Sequence, residues 1–292
     1  MSTRIVVFGA AGQVGTDCVS ALQHLGYDVV SLTRAEADFS DAEKVSDAVM
    51  EYSPRIVVNA CAYTAVDKAE DETVLADQIN HLSVASLAKA CEQQGVLLIH
   101  LSTDYVFDGQ SSVPYKEDSP VNPLGVYGKT KLAGEQAIAQ AMTQYFILRT
   151  SWVFGKQGNN FVSTMLRLAA TRDQLGVVSD QMGRPSYVMH IVAVIVLLVQ
   201  RYESHEATPF GIYHCSSRGE VSWYTFAQAI FSVAHKSGVL GQVPTVDAIP
   251  SSSYPTPAPR PMYSVLNTSK LEAVLGQPMP SWEQGLADYF SP

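Results

Sequence analysis

The stretch from Arg4 to Gly15 reads RIVVFGAAGQVG, an apolar run that leads directly into three glycines. A short continuous apolar run is typical of a buried parallel strand, and the spacing of Val19, Leu22 and Leu25 predicts a helix over residues 16–25. Between a strand and a helix, such glycines permit a tight turn, a close approach to a pyrophosphate, and packing of helix on strand. The sequence therefore predicts a dinucleotide-binding turn. The residues expected to contact the dinucleotide here are Gly9, Ala11, Gly12, Gln13, Val14 and Gly15.

The first half of the chain repeats this alternation of strand and helix. Apolar runs predict further strands at residues 27–32, 55–59, 96–101 and 145–149. Helical spacing predicts intervening helices at residues 40–52, 74–93 and 130–142, with Ser40 as the cap of the first. Such an alternation indicates an α/β fold with a doubly wound parallel sheet of Rossmann type.

The pattern changes after Trp152, where polar and proline-rich loops separate shorter elements. A buried helix at 190–203 and a strand at 211–214 are predicted to rejoin the sheet. We therefore predict a nucleotide-binding domain of residues 1–154 plus 186–217 and a smaller α/β substrate-binding lobe of residues 155–185 plus 218–292. Because ligands of such sheets bind outside the carboxyl ends of the strands, the lobe is expected to pack there. The proline-rich run 250–261 is expected to be an ordered loop that wraps the lobe.

Composition excludes several classes of protein. Of the 292 residues, 47% are apolar and 16% are charged, which suits a large core and argues against disorder. The net charge of −9 argues against nucleic acid as a partner. The four cysteines show no metal-binding spacing, and the most apolar run is too short to cross a membrane. We expect a cytoplasmic protein without a signal peptide, either a monomer or a homodimer, with no metal site.

Residues after the second and third strands carry the cofactor predictions. Many NAD-binding proteins have an acid after the second strand, whereas this chain has Arg34, whose guanidinium suits a 2′-phosphate. We therefore predict NADPH, with NADH as the alternative if Arg34 is only a surface residue. Asp38 and Phe39 are expected beside the adenine. The residues expected along the ribose and nicotinamide are Ala60, Ala62, Tyr63, Thr64 and Leu101.

Three side chains in the middle of the chain predict the chemistry. Thr103 ends the fourth strand, and Tyr127 and Lys131 are spaced one helical turn apart. A lysine ammonium near the phenol is expected to lower the pKa of Tyr127 and to bind the nicotinamide ribose. Thr103 and Tyr127 would then hydrogen-bond a substrate carbonyl, with Tyr127 as the proton donor and a bound cofactor as the hydride donor. Without the glycine turn, a chance tyrosine–lysine pair on a surface helix would explain the spacing equally well.

Taken in order, several blocks of the sequence resemble the extended short-chain dehydrogenase/reductases, and within them the dTDP-4-dehydrorhamnose reductase family. The G-x-x-G-x-x-G spacing of the glycines also matches this group rather than G-x-G-x-x-G. The matching blocks are GAAGQVG (9–15), VNACAYTAVDKAE (58–70), STDYVF (102–107), NPLGVYGKTKLAGE (122–135), RTSWVF (149–154), GNNF (158–161), DQMGRP (180–185) and RPMYSVLN (260–267). They span nearly the whole chain.

The resemblance implies the NADPH-dependent reduction of the C4 ketone of a nucleotide sugar, dTDP-4-dehydro-L-rhamnose, to dTDP-L-rhamnose. It assigns Tyr127 as the proton donor, Lys131 as a cofactor ligand and Thr103 as a carbonyl contact. The remaining substrate contacts that it suggests are Asp104, Trp152, Arg184 and Arg260. Either arginine could instead form a structural ion pair, and Trp152 could instead be a core residue. Some relatives bind Mg²⁺ through carboxylates at a dimer interface, but residues 186–190 here, SYVMH, contain no acid.

Two other functions remain compatible with these motifs. A nucleotide-sugar epimerase or dehydratase shares the glycine turn and the Tyr–Lys spacing. A dehydratase, however, would need an Asp–Glu pair beside the threonine, whereas Thr103 precedes Asp104 and Tyr105. The other alternative is a non-catalytic subunit that binds a dinucleotide and a partner enzyme, as a relative does for methionine adenosyltransferase. The complete trio of Thr103, Tyr127 and Lys131 argues against that role.

Overall fold

A computed structural model describes residues 2–291. The strands are β1 (Arg4–Phe8), β2 (Asp28–Leu32), β3 (Ile56–Asn59), β4 (Leu97–Thr103), β5 (Tyr145–Thr150), β6 (Val153–Phe154), β7 (Gln174–Val178), β8 (Met182–Gly183), β9 (Ser186–Tyr187), β10 (Gly211–His214), β11 (Val221–Ser222) and β12 (Thr245–Ile249). Six of them form a parallel sheet in the order β10-β5-β4-β3-β1-β2. The predicted doubly wound α/β fold is therefore confirmed. The strand order reverses between β1 and β3, and ligands of such sheets bind at that reversal.

Helices connect the strands and cover both faces of the sheet. They are α1 (Gln13–His24), α2 (Ala42–Tyr52), α3 (Val66–Ala69), α4 (Thr73–Asp77), α5 (Ser83–Gln94), α6 (Val126–Ala141), α7 (Phe161–Ala169), α8 (Val188–Glu203), α9 (Trp223–Lys236), α10 (Ser269–Leu275) and α11 (Trp282–Phe290). A π-helical turn, Gln78–Leu82, joins α4 to α5, and short 3₁₀ turns lie at Asp104–Val106 and Ser251–Ser253. Within residues 2–291, no helix combines the length and hydrophobicity that crossing a bilayer requires.

Both faces of the sheet are buried, which explains the continuously apolar strands. Along β1, Ile5 and Val7 enter a core on the side of α1 and α8, while Val6 and Phe8 enter a second core on the side of α2, α5 and α6. Successive side chains of a strand point to opposite faces, so a strand covered on both sides must be apolar throughout. The prediction that residues 190–203 form a buried helix is confirmed by α8.

Several predicted boundaries were wrong. Helix α1 begins at Gln13 rather than at residue 16, because the glycine turn leads straight into it. Asp41, not Ser40, caps α2, since the Asp41 carboxylate accepts from the amides of Glu43 and Lys44. Helix α6 begins at Val126, four residues before its predicted start, so that Tyr127 lies in the first turn.

A third core lies among the elements of the predicted lobe. The buried side chains of α7, α9 and α11 meet there, around Phe226 and Trp282, and β7 pairs in parallel with β12. The division of the chain into two domains at residues 154, 186 and 218 stays a prediction. The proline-rich run also reaches beyond the lobe, because the amide of Ala258 donates to Asp67 of α3 at 3.2 Å. It therefore links the third core to the loop that follows β3.

Candidate active site

The glycine turn places the N-terminus of α1 at the carboxyl end of β1. Gly9 has a φ of +73°, and a Cβ built there would lie 2.8 Å from the carbonyl carbon of Ala60. A Cβ at Gly15 would overlap the carbonyl oxygen of Gly9, so this position needs glycine for the helix to approach the turn. Gly12 caps the helix, and its amide donates to the Gly9 carbonyl at 2.9 Å. Ala11 and Gly12 are exposed, which leaves this positive end of the helix dipole accessible to an anionic group.

The two side chains of the turn are held differently. The Oε1 of Gln13 accepts a hydrogen bond from Asn160 at 2.7 Å, so it ties the turn to the cap of α7. Val14 packs against the core on the α1 side of the sheet. Either residue can therefore offer a dinucleotide mainly its backbone.

The structure corrects part of the adenine prediction. Phe39 is only 2% exposed and packs edge-on against Phe8, with ring centroids 5.4 Å apart. Its ring is thus part of the core and is not available to flank an adenine. Asp38 accepts from the amide of Ser40 at 2.9 Å and from Arg34 at 3.1 Å. The side chain of Arg34 is 78% exposed, so its guanidinium can turn toward a phosphate group at little cost.

A buried asparagine that sequence analysis missed holds the loop after β3. Asn80, in the π-helical turn, accepts from the amide of Tyr63 at 2.9 Å and donates to its carbonyl at 3.2 Å. Its Nδ2 also donates to Thr130 of α6 at 3.1 Å. Asn80 therefore fixes the backbone of Tyr63 against the helix that carries Tyr127. A polar residue in the middle of a predicted helix was the available signal, and π turns often mark functional sites.

Thr103 and Tyr127 lie together at the carboxyl end of β4. Thr103 caps the 3₁₀ turn by accepting from the amide of Tyr105, and its hydroxyl donates to Asp104 at 3.1 Å. The Tyr127 ring packs edge-on against Tyr105 at 5.5 Å. The Tyr127 ring is half-buried, but its hydroxyl lies among protein atoms, and this burial raises the pKa to about 12, while the adjacent Thr103 hydroxyl acts in the opposite direction.

Lys131 does not act on Tyr127 as the sequence predicted. Its side chain is 1% exposed, and its Nζ donates to the carbonyl of Leu101 at 2.7 Å and lies 3.3 Å from Nε2 of His100. Burial lowers the pKa of Lys131 to about 8. The expectation that Lys131 depresses the pKa of Tyr127 was wrong for this structure, because the ammonium is directed to the backbone of β4 and burial dominates at the phenol.

Asp104 is a buried acid beside Thr103 and Tyr127. It is 2% exposed, and within residues 2–291 its Oδ2 has no hydrogen-bond partner. Burial raises its pKa to about 6. An unsatisfied polar atom in the interior is costly unless a ligand completes it. Asp104 thus fits a ligand hydroxyl.

The three remaining substrate candidates differ in what they already contact. Trp152 stacks face to face on Trp223, with centroids 3.4 Å apart, so one face of its ring is covered. Arg184 is half-buried, and burial lowers its pKa; its Nε has no partner within the described part of the chain. Arg260 pairs with Asp67 at 2.8 Å, the structural ion pair that sequence analysis had left open.

A buried ion pair behind the trio was also missed. Arg149 of β5 forms a bidentate ion pair with Glu135 of α6, in which Nε donates at 3.0 Å and Nη2 at 2.7 Å. Both side chains are 2% exposed. Ser102 donates to the same carboxylate at 2.5 Å. These contacts join β4, β5 and α6 directly behind Thr103 and Lys131. Glu135 lies one turn after Lys131, which was the only sequence signal.

No group of three or more His, Cys, Asp or Glu side chains arranged to hold a metal ion occurs between residues 2 and 291. The four cysteines are free thiols, three of them buried and Cys61 partly so.

The chain matches the family model described as "RmlD substrate binding domain" over residues 3–292. The dTDP-4-dehydrorhamnose reductase of Aggregatibacter actinomycetemcomitans is 42% identical to it over 284 residues, which cover 97% of each chain. The enzyme of the same name from Escherichia coli K12 is 42% identical over 287 residues, 97% of this chain and 95% of that protein. The crystal structure of dTDP-4-dehydrorhamnose reductase from Bacillus anthracis in complex with NADP superimposes with a TM-score of 0.91 at 36% identity, over 99% of each chain. A family match across this length, on a fold in which Thr103 ends β4 and Tyr127 and Lys131 lie on α6, shows that the chain belongs to the RmlD substrate binding domain family.

Proposed function

We propose that this protein is an NADPH-dependent dTDP-4-dehydrorhamnose reductase, which reduces the C4 ketone of dTDP-4-dehydro-L-rhamnose to dTDP-L-rhamnose. The names of the full-length relatives and the NADP bound to the Bacillus anthracis structure support this function. The single observation that carries it is the pair of hydroxyls of Thr103 and Tyr127, placed at the carboxyl end of β4 next to the reversal of the sheet.

The residues around that reversal fit a dinucleotide. The exposed N-terminus of α1 suits the pyrophosphate, Arg34 suits a 2′-phosphate, and the loop of residues 60–64 offers small side chains and a fixed backbone. NADPH supplies the hydride that no protein side chain can provide. Lys131 and the carbonyl of Leu101 are the groups that we assign to the nicotinamide ribose side.

The protein's own groups supply the proton and stabilise the developing charge. Because its pKa lies near 12, Tyr127 is fully protonated at neutral pH and can act as a proton donor. As the carbonyl oxygen of the substrate becomes an alkoxide, Tyr127 donates a hydrogen bond to it, and so does Thr103 once its hydroxyl turns away from Asp104. Tyr127 then transfers its proton. A negative alkoxide close to the phenol favours this transfer, since it is the stronger base.

Asp104, Trp152, Arg184 and Arg260 are the residues that we assign to the substrate. Asp104 has a free carboxylate oxygen for a sugar hydroxyl. Arg184 has a free guanidinium nitrogen for the diphosphate or thymidine side. Arg260 would reach the substrate only by releasing Asp67, so its contribution is expected to be smaller than that of Arg184.

The direct test is the loss of NADPH absorbance when the purified protein is mixed with dTDP-4-dehydro-L-rhamnose. We expect stoichiometric formation of dTDP-L-rhamnose. Tight binding of NADPH without turnover of this sugar would contradict the proposal and favour a regulatory subunit. Conversion of the sugar without net oxidation of NADPH would favour an epimerase.

A further inference from the structure

His100 is a fully buried histidine that the proposed chemistry does not use. It lies on β4 directly opposite Asn59, which ends β3, and both side chains are 0% exposed. Its Nδ1 is 3.0 Å from Nδ2 of Asn59, and its Nε2 is 3.3 Å from Nζ of Lys131. The imidazole therefore bridges the end of β3 and the lysine assigned to the cofactor.

The orientation of the Asn59 amide determines which ring nitrogen carries the proton. The Oδ1 of Asn59 accepts a hydrogen bond from the amide of Cys61 at 3.0 Å, which is a turn of the Asx type. The other end of the side chain, Nδ2, must then face His100, and an amide nitrogen can only donate. Nδ1 of His100 is consequently an acceptor, and the proton of the neutral ring lies on Nε2.

This assignment has a consequence for Lys131. An Nε2–H group cannot accept a hydrogen bond, and an ammonium has no lone pair to accept one. The contact between the two nitrogens is satisfied only when the lysine is a free amine, which accepts from Nε2 and donates to the carbonyl of Leu101 at 2.7 Å. The hydrogen bonds then run in one direction, from the amide of Cys61 through Asn59, His100 and Lys131.

We propose that His100 is a positioning residue for Lys131: locked by Asn59 into the tautomer protonated on Nε2, it donates to the lysine nitrogen, holds it against β4 and favours the amine over the ammonium. This inference rests on the proposed role of Lys131 at the cofactor. A lysine that is held in place and whose pKa lies near 8 can exchange its proton close to neutral pH, and change its hydrogen-bond partners, when a ligand or a negative charge arrives nearby.

The other groups that face Lys131 act in the opposite direction or are neutral. Glu135, one turn along α6, favours the ammonium, but its carboxylate is already engaged by Arg149 and Ser102. Burial raises the pKa of the Cys61 thiol to about 11, so it carries no charge near neutrality. Tyr127, one turn before Lys131, is likewise a neutral phenol. The imidazole is therefore the group that is positioned to oppose the ammonium.

The tautomer can be measured on the protein without cofactor or substrate. In protein labelled with ¹⁵N in its histidine rings, we expect His100 to show an unprotonated Nδ1 and a protonated Nε2, unchanged from pH 6 to pH 9. Loss of the signals in His100→Gln identifies them. A proton on Nδ1, or a doubly protonated ring at pH 6, would overturn the proposal, whether or not the protein is a reductase.

A single isosteric change should reverse the chain of hydrogen bonds. In Asn59→Asp, the carboxylate still accepts from Cys61 but also accepts from the ring, so the proton moves to Nδ1 and Nε2 becomes an acceptor for the ammonium. We expect the titration of Lys131, followed by NMR of labelled lysine side chains, to move at least about one pH unit toward alkaline. No movement would contradict the proposal.

Two controls separate an effect transmitted through His100 from a direct or general effect on Lys131. The new charge of Asn59→Asp acts on Lys131 directly as well, so the same change is made in a His100→Phe background. An equally large shift there would overturn the role of His100. His214→Gln, a change to another fully buried histidine at the far edge of the sheet, is expected to leave the titration of Lys131 in place.

Discussion

At the scale of single residues, Tyr127 is the most direct test of the site. Replacing it with phenylalanine keeps the ring that packs on Tyr105 but removes the proton donor. We expect kcat to fall by about 100- to 10,000-fold, the usual worth of a positioned general acid, while NADPH affinity changes little. Turnover and cofactor titration measure the two effects. As a matched control, Tyr105→Phe should retain most of the activity. Near-normal turnover in Tyr127→Phe would remove this residue from its assigned role.

Arg34 is the residue that we propose to select NADPH over NADH. Its side chain is 78% exposed and pairs with Asp38 near the surface, so Arg34→Ala should fold normally. We expect the affinity for NADPH to fall by about tenfold or more, the worth of a charge-assisted contact to a phosphate, and that for NADH to stay within about twofold. Binding titrations with both cofactors test this. An equal loss of affinity for NADPH and NADH would show that Arg34 does not bind the 2′-phosphate.

The residue scale also shows why contacts were harder to predict than motifs. Gly9, Gly12 and Gly15 could be identified from their spacing, because few other residues fit a tight turn between a strand and a helix. The effect of Lys131 on the pKa of Tyr127 was predicted wrongly, since helical spacing places Lys131 near Tyr127 but cannot reveal the carbonyl of Leu101 and the imidazole of His100 that hold it.

At the scale of elements, the buried pair of Arg149 and Glu135 connects β5 to α6, the helix that carries Tyr127 and Lys131. Arg149→Met leaves the Glu135 carboxylate buried without its partner. Such a loss costs about 3–5 kcal/mol of the free energy of unfolding, whereas replacing both partners with apolar residues is often close to neutral. We expect urea unfolding to show this large loss in the single variant and a partial recovery in Arg149→Met with Glu135→Leu.

The control for that measurement is an exposed ion pair on the same molecule. Arg4 and Asp28 are 2.8 Å apart, with about half of each side chain in solvent. Because exposed pairs contribute about 0–1 kcal/mol, Arg4→Met should change stability little. Similar losses of the free energy of unfolding in Arg149→Met and Arg4→Met would show that the buried pair does not stabilise the packing of α6 on the sheet.

The elements themselves were predicted more reliably than their ends. Strand β10 has the bounds that were predicted for it, residues 211–214. The predicted helix over 74–93 instead contains a π turn at Gln78–Leu82. The apolar spacing does not predict this π turn. The turn is held by hydrogen bonds of Asn80 with Tyr63 and Thr130, which are distant in sequence.

At the scale of the whole molecule, a buried histidine should make the fold sensitive to acid. Burial lowers the pKa of His214 from 6.5 to about 3. Below pH 6.5 the unfolded chain binds a proton that the folded chain does not, so the free energy of unfolding falls as pH decreases through this range. Between pH 7 and pH 5 the loss from this one residue is about 2 kcal/mol. Asp104, whose pKa is raised to about 6, acts in the opposite direction.

Comparison with the His214→Gln variant isolates the contribution of His214 to the pH dependence of the free energy of unfolding. Asp104 and His100 contribute equally to both proteins, so they cancel in the difference. We expect urea unfolding at pH 7 and pH 5 to show that the native protein loses about 2 kcal/mol more than the variant. Equal losses would show that His214 does not stay neutral in the folded state.

The sequence by itself determined the class of fold and predicted the place of the chemistry. Strands that are apolar throughout must be covered on both sides, and glycines between a strand and a helix are selected by local steric limits. Thr103, Tyr127 and Lys131 could be predicted as site residues from the sequence, since the roles proposed for them depend on their positions at the end of β4 and on α6.

Only the tertiary structure decided what those groups touch. It buried the ring of Phe39 in the core, paired Arg260 with Asp67, stacked Trp152 on Trp223 and directed Lys131 to Leu101 and His100. Each of these contacts joins residues whose proximity depends on how separate elements pack, and no local pattern encodes it. Protonation states follow the same rule, because burial and the orientation of an amide such as Asn59 exist only in the folded chain.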